Sequence, residues 1–137
     1  MNLMKHPFKI FFATVFLVSA ITAAVGSSFK SDVIDNVSAQ ISKGNAGGVA
    51  TYFNDNVDVS IIDKQGVYSK AQAQIVLQNF FSTNAVKSFS IVQRGQTSDG
   101  MFCIGTYVSS NASYRIYYLV SYMNGINLIV KFSISKQ

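Results

Sequence analysis

From Val86 to Ser135 the chain reads as four apolar-rich runs, VKSFSIVQRGQT, MFCIGTYVSS, YRIYYLVSYM and INLIVKFSIS, separated only by SDG, NAS and NG. Connections this short join antiparallel neighbours, because a parallel return needs a crossover of about a dozen residues or more. They are also turn-forming, Asn-Gly above all, whose residues tolerate the positive φ of a tight hairpin. The second half of the chain is therefore expected to be a four-stranded antiparallel meander. In its last run Ile126, Leu128, Val130, Phe132 and Ile134 alternate with Asn127, Lys131, Ser133 and Ser135. That is the period of a strand with one face on a core.

A sheet with one apolar face has to be covered, and the residues before Val86 supply the cover. Ser31 is placed to cap a first helix in which Val33, Ile34, Val37 and Ile41 form one stripe and after which Gly44 stops the turn. Asp32 and Asp35 fall in its first turn, where the helix dipole favours negative charge. NAGGVATYF reads as a short second helix presenting Val49, Tyr52 and Phe53 to the core, weakened by its two glycines. VDVSII alternates as a strand, and DKQG is expected to turn it back into VYS. Ser69 followed by Gln72 makes a capping box for a third helix reaching about Ser82. Ala73, Val76, Leu77, Phe80 and Phe81 form its apolar stripe.

Residues 1–25 read as a cleaved export signal: Lys5, His6 and Lys9 precede the apolar run IFFATVFLVSA, and the small residues of ITAAVGSS follow. The apolar run from Ile10 to Val25 is shorter than the roughly 20 residues of a spanning helix. The expectation is an exported protein, periplasmic or extracellular, whose residues 26–137 form a single domain without a membrane span. Cys103 is the only cysteine, so no internal disulfide supports the fold in an oxidising compartment. Eleven Lys and Arg stand against six Asp and Glu, a formal +5 that becomes +3 once Lys5 and Lys9 leave with the signal. The basic residues are scattered and do not cluster with aromatics, which argues against a nucleic-acid partner.

Beyond His6 the chain has no histidine, and it has no glutamate anywhere. Its six carboxylates are aspartates at a helix start, in turns or loops, or on the polar side of a strand. General acid or base work near neutral pH needs such a group buried beside a partner that tunes it. Cys103 and the serines have no histidine to activate them. NDNVD, residues 54–58, has oxygen side chains at alternate positions but lacks the glycine and closing glutamate of a calcium loop, and reads as a turn entering the strand. No catalytic residue, metal or cofactor is expected.

The order helix, helix, hairpin, helix, meander gives an α+β class, a curved antiparallel sheet with three helices in its concave face. That order is similar to the nuclear transport factor 2-like superfamily, an α+β cone. More narrowly, AGGVATYFNDNVDVSI, YSKAQAQIVLQNFF and GTYVSSNASYRIYYLV resemble the small secreted bacterial proteins grouped as domain of unknown function 4783. The wider resemblance implies a cone used as a catalytic pocket, as in ketosteroid isomerase and scytalone dehydratase, or used for binding and for dimerisation through the sheet. The narrower one implies no activity.

Two functional readings follow, one for each face of the sheet. In the first, Tyr52, Phe53, Val76, Phe80 and Phe81 from the helical half enclose a pocket with Phe102, Ile104, Tyr114, Ile116 and Tyr118, taking a small apolar ligand; the plainer alternative is a filled core. In the second, Cys103, Tyr107, Arg115, Tyr117, Leu119 and Met123 form an outer face through which the chain self-associates or meets a protein partner. Both sides of YRIYYLVSYM are apolar, so which one faces inward stays open. A secreted, non-catalytic binding or interaction module using the outer sheet face is the leading expectation, and a carrier of a small apolar ligand is its alternative.

Overall fold

The structure, a computed structural model, describes residues 32–137; the expected signal peptide and Ser31 lie outside the described residues. The first helix, α1 (Val33–Ser42), is capped by Asp32, whose carboxylate accepts from the Ile34 amide in the role expected of Ser31. Ile34, Val37 and Ile41 of the expected stripe are buried. The short α2 (Ala46–Ala50) is capped by Asn45, which accepts from the Gly48 amide. Strand β1 (Phe53–Ile61) and β2 (Lys64–Ser69) form the hairpin, and α3 (Lys70–Thr83) starts in the expected capping box. Ser69 Oγ accepts from the Gln72 amide, and Gln72 Oε1 from the Ser69 amide, both at 3.2 Å. The meander is β3 (Val86–Thr97), β4 (Gly100–Ser109), β5 (Ser113–Met123) and β6 (Ile126–Lys136).

All six strands join in one curved sheet of order β2-β1-β6-β5-β4-β3. Every neighbouring pair is antiparallel except β1–β6, which is parallel. The connection from β1 to β6 carries the third helix and the rest of the meander, so the long crossover a parallel pair requires is present. Helix α1 lies over β3 and β4, α3 lies over β1 and β2, and α2 packs between the two helices. Arg94 on the edge strand β3 reaches Asp35 at 2.7 Å and Asp32 at 3.5 Å, tying the start of α1 to that edge. Among the described residues no helix is long and apolar enough to cross a membrane.

The hairpin turn sits at Ile62–Asp63, because Ile61 pairs with Lys64, and Gln65 and Gly66 already belong to β2; DKQG is thus mostly strand. NDNVD lies within β1 beside a register irregularity between Phe53 and Asp58. The alternation expected of β6 holds only in its second half. Leu119 pairs with Lys131 but Val120 with Ile129, so Val130 is an extra residue in the ladder. Such a bulge bends the strand and inverts the facing of everything before it. Phe132 and Ile134 point inward as expected, but upstream it is Ile129 that is buried, while Ile126 is 58% exposed. The Asn-Gly turn behaves as its composition demands, with Asn124 at φ 50° and Gly125 at φ 81°.

Candidate functional site

The interior of the cone is set by β4 and β5 together. Tyr114, Ile116, Tyr118 and Val120 of β5 are buried, and opposite them on β4 stand Tyr107, Gly105, Cys103 and Met101. Cys103 and Tyr107, expected on the outer face, are therefore inside and fully buried, whereas Phe102 and Ile104, expected inside, are half-buried on the outer face. A two-residue or four-residue turn sets an even-numbered residue against an odd one, so an inward Tyr118 requires an inward Cys103. The three residues NAS between the two runs leave that parity open, and the structure decides it with the four-residue connection from Ser109 to Ala112. Gly105 leaves room on the inner face for the Phe89 ring, which a side chain there would strike.

At the closed end of the cone, Tyr118 is the central side chain. Its hydroxyl donates to the Ile34 carbonyl at 2.9 Å, which leaves Ser38 Oγ, 2.8 Å away, to donate to the phenol oxygen. The ring stacks on Phe132 at 6.1 Å and 10°, and Phe132 meets Phe53 edge-on at 5.9 Å. Burial pushes the Tyr118 phenol strongly up, with the Ser38 hydrogen bond opposing. Burial likewise raises the Cys103 thiol, so it stays protonated and packs as a small hydrophobe. Tyr52 is half-buried against this core and Ile116 is fully buried within it. Phe53, Phe81, Ile116 and Tyr118 thus fill the space that the pocket reading assigned to a ligand.

The open end is different. Helix α3 stops at Thr83, and Asn84 closes it with its side-chain amide on the Phe80 carbonyl. Asn84 also accepts from Tyr114 at 2.8 Å through Oδ1 and from the Tyr107 hydroxyl through its backbone carbonyl. Phe80 packs edge-on against Tyr114 at 5.0 Å, and Phe81 stacks on Tyr107 at 5.8 Å. Burial pushes the Tyr107 phenol up to about 12, and Tyr114 adds to the shift. Beyond this layer lies a cleft of about 510 Å³, within the range of roughly 300–1,000 Å³ usual for small-molecule sites. Of the residues assigned to a pocket from sequence, Val76, Phe80 and Tyr114 line it. The others do not.

The remaining lining comes from residues that the sequence reading passed over. The β1–β2 turn contributes Ile61 to Lys64, the end of β6 contributes Lys136, and Asn79 and Thr83 lie on α3 beside Val76 and Phe80 at helical spacing. That spacing was a usable signal; the approach of Lys136 and the β1–β2 turn was not, since it depends on the parallel β1–β6 pairing. Ile62 holds φ at 52° while 48% exposed. A β-branched residue in that region is a genuine outlier, and the strain is on the order of 1–3 kcal/mol. Its amide is tied to the Ile134 carbonyl at 3.1 Å, which holds the turn in place.

The outer face of the sheet carries Phe102, Ile104, Tyr117 and Leu119 as a contiguous apolar island, set by the pairs Phe102–Leu119 and Ile104–Tyr117. Phe102 and Tyr117 stack at 6.4 Å and 25°, and the Phe102 ring also covers Gly95. Around the island lie Arg115, Ser133 and the exposed pair Lys131–Asp58, 4.0 Å apart. Met123 is 39% exposed near the tip of the β5–β6 hairpin. Arg115, Tyr117, Leu119 and Met123 are thus outside, as the interface reading has them. All six aspartates are exposed, and among the described residues no cluster of three or more metal-ligating side chains occurs.

The sequence matches the family profile of a domain of unknown function, DUF4783, over residues 34–135. The chain belongs to the DUF4783 family. It is similar in structure to the DUF4783 protein of Bacteroides uniformis ATCC 8492, with 25% identity and a TM-score of 0.73 over 77% of this chain and 98% of that one. The DUF4783 protein of Bacteroides fragilis YCH46 is 27% identical with a TM-score of 0.70, covering 74% and 96% of the two chains. An NTF2-like protein of unknown function from Shewanella baltica OS155 shares 11% identity at a TM-score of 0.58 over 77% and 88%. That likeness shows the fold, and this DUF4783 chain has the NTF2-like cone. Among curated proteins none matches the sequence significantly.

Proposed function

We propose that this protein is an exported, non-catalytic interaction module that associates through the outer face of its sheet, with a second copy of itself as the partner first to be tested. The observation that carries the reading is the Phe102, Ile104, Tyr117, Leu119 island, half-exposed on a face that none of the described helices covers and ringed by serine, lysine and arginine side chains. An apolar centre with aromatics and a polar, charged rim is the anatomy of a protein interface. The cone supports the non-catalytic part. Its buried interior presents phenols and a protonated thiol, and all six aspartates are exposed, with Asp63 alone among them lining the cleft. Export rests on the apolar run from Ile10 to Val25 behind Lys5 and Lys9, and the intact mass of the protein from its own host should lack that segment.

Sedimentation of the mature chain and of Tyr117→Asp tests the association. Tyr117 is half-buried on the outer face, so a carboxylate there remains solvated in a monomer but is buried unpaired in a sheet-to-sheet complex. The variant should sediment as a monomer with an unchanged thermal midpoint. A wild type that is itself monomeric at high micromolar concentration, or a variant of unchanged assembly, would remove the face as a site of self-association.

A further inference from the structure

We propose that the cleft at the open end of the cone binds an amphipathic monoanion, a carboxylate head on an apolar tail, independently of the outer sheet face. The floor is apolar, formed by Ile61, Val76 and Phe80. At the rim stand the ammonium groups of Lys64 and Lys136, both exposed and neither in an ion pair among the described residues. Asp63 is the one carboxylate of the described lining. Two cations against one anion leave a single positive charge, which matches one carboxylate and would leave half of a dianionic phosphate uncompensated. Asn79 and Thr83 line the wall, and among the described residues their side chains have no hydrogen-bond partner, which leaves them free to meet the head group. An apolar floor with a few convergent polar groups is what a small-molecule site presents.

The turn adds a second and independent observation. A two-residue hairpin connection favours Gly, Asn or Asp wherever φ is positive, yet Ile62 occupies that position, half-exposed, with its side chain on the cleft. Glycine would fold more easily there. What isoleucine adds is apolar surface at the rim, and the strained turn is explained if that surface covers a bound tail. Asp63 is the one group of the described lining that opposes a bound anion, and the two lysines outweigh it; Asn84 and Tyr114, on the inner wall, are neutral and engaged with each other.

Titration calorimetry of the mature chain with decanoate tests this, with decanol and decyltrimethylammonium as the uncharged and oppositely charged probes. Decanoate should bind saturably at one site, at least tenfold tighter than either control, and more weakly as salt rises. The double variant Lys64→Gln, Lys136→Gln, altered only at exposed side chains, should lose tenfold or more in affinity for decanoate and nothing for decanol. Ile62→Gly should raise the thermal midpoint while weakening decanoate binding. Absence of saturable binding below millimolar decanoate, equal affinity for the cationic probe, or an unchanged affinity in the double lysine variant would each overturn the proposal. Tyr117→Asp should leave decanoate binding intact, which separates this site from the outer sheet face.

Discussion

Tyr118 and Tyr114 stand four residues apart on the same face of β5, each with its hydroxyl bound to the helical layer, yet they do different things. Tyr118 is fully buried where α1 crosses the sheet, and its one oxygen serves both the Ile34 carbonyl and Ser38. Tyr114 retains 7% exposure where α3 ends, bonds to Asn84, and faces a cleft on its outer side. The contrast shows that helix coverage decides whether an aromatic of this sheet is filling or lining. Where a helix passes over, the cone is plugged; where α3 stops at Thr83, an apolar floor is left with unspent polar groups around it.

The sharpest test of that difference is truncation. Tyr118→Ala should cost about 3–5 kcal/mol, the usual loss for a buried aromatic, whereas Tyr114→Ala should cost visibly less because the cleft lets water and neighbours relax into the gap. Equal losses in chemical denaturation would erase the distinction. Removal of the hydroxyl alone is a finer probe. Tyr118→Phe leaves the buried Ser38 hydroxyl without its phenol partner and takes the second donor from the Ile34 carbonyl, at about 1–3 kcal/mol, while the Asn84 Oδ1 freed by Tyr114→Phe can be rehydrated from the cleft and should cost under about 1 kcal/mol.

Alkaline pH gives a smaller effect of known sign. The buried phenols of Tyr107 and Tyr118 have raised pKa values, so between the ordinary phenol value of 10.0 and about 12 the unfolded chain gives up protons that the folded chain keeps. Stability should be level up to about pH 10 and then fall as pH rises. Tyr118→Phe should flatten that fall, and Tyr114→Phe should leave most of it. A wild type whose stability is level from pH 9 to 12 would contradict the burial of both groups. The smallest expected effect is at Arg94, whose pairs with Asp32 and Asp35 are exposed; Arg94→Gln should cost under about 1 kcal/mol and nothing at high salt.

Local signals carried well. The capping box at Ser69 and Gln72, the stripe on α3, the Asn-Gly turn and the four meander strands all rest on spacings of a few residues, and each forms where those spacings place it. Facing was less legible. On β5 both sides are apolar and the inward one stayed open until the structure turned Tyr114, Ile116 and Tyr118 to the core; on β4 Phe102 with Ile104 and Cys103 with Tyr107 are also both apolar, and the four-residue connection after Val108 puts the second pair inside. In β6 no local feature marks Val130 as the bulge that turns Ile129 inward. Of the cleft, Val76, Phe80 and Tyr114 could be found from their stripes, and Asn79 and Thr83 from the same helix; Lys64 and Lys136 meet only because distant segments pair.

By itself, then, the sequence determined the elements, their order and the α+β class, because helix stripes, caps and hairpin turns are written in residues close along the chain. It also determined that residues 32–137 contain no histidine and no glutamate. Tertiary structure alone decided the parallel seating of β1 on β6, the bulge at Val130, the tie from Arg94 to α1 and the composition of the cleft. The reason is physical: a period of two says which residues share a face but not which face is covered, and that choice is made by long-range pairing and by where each helix ends.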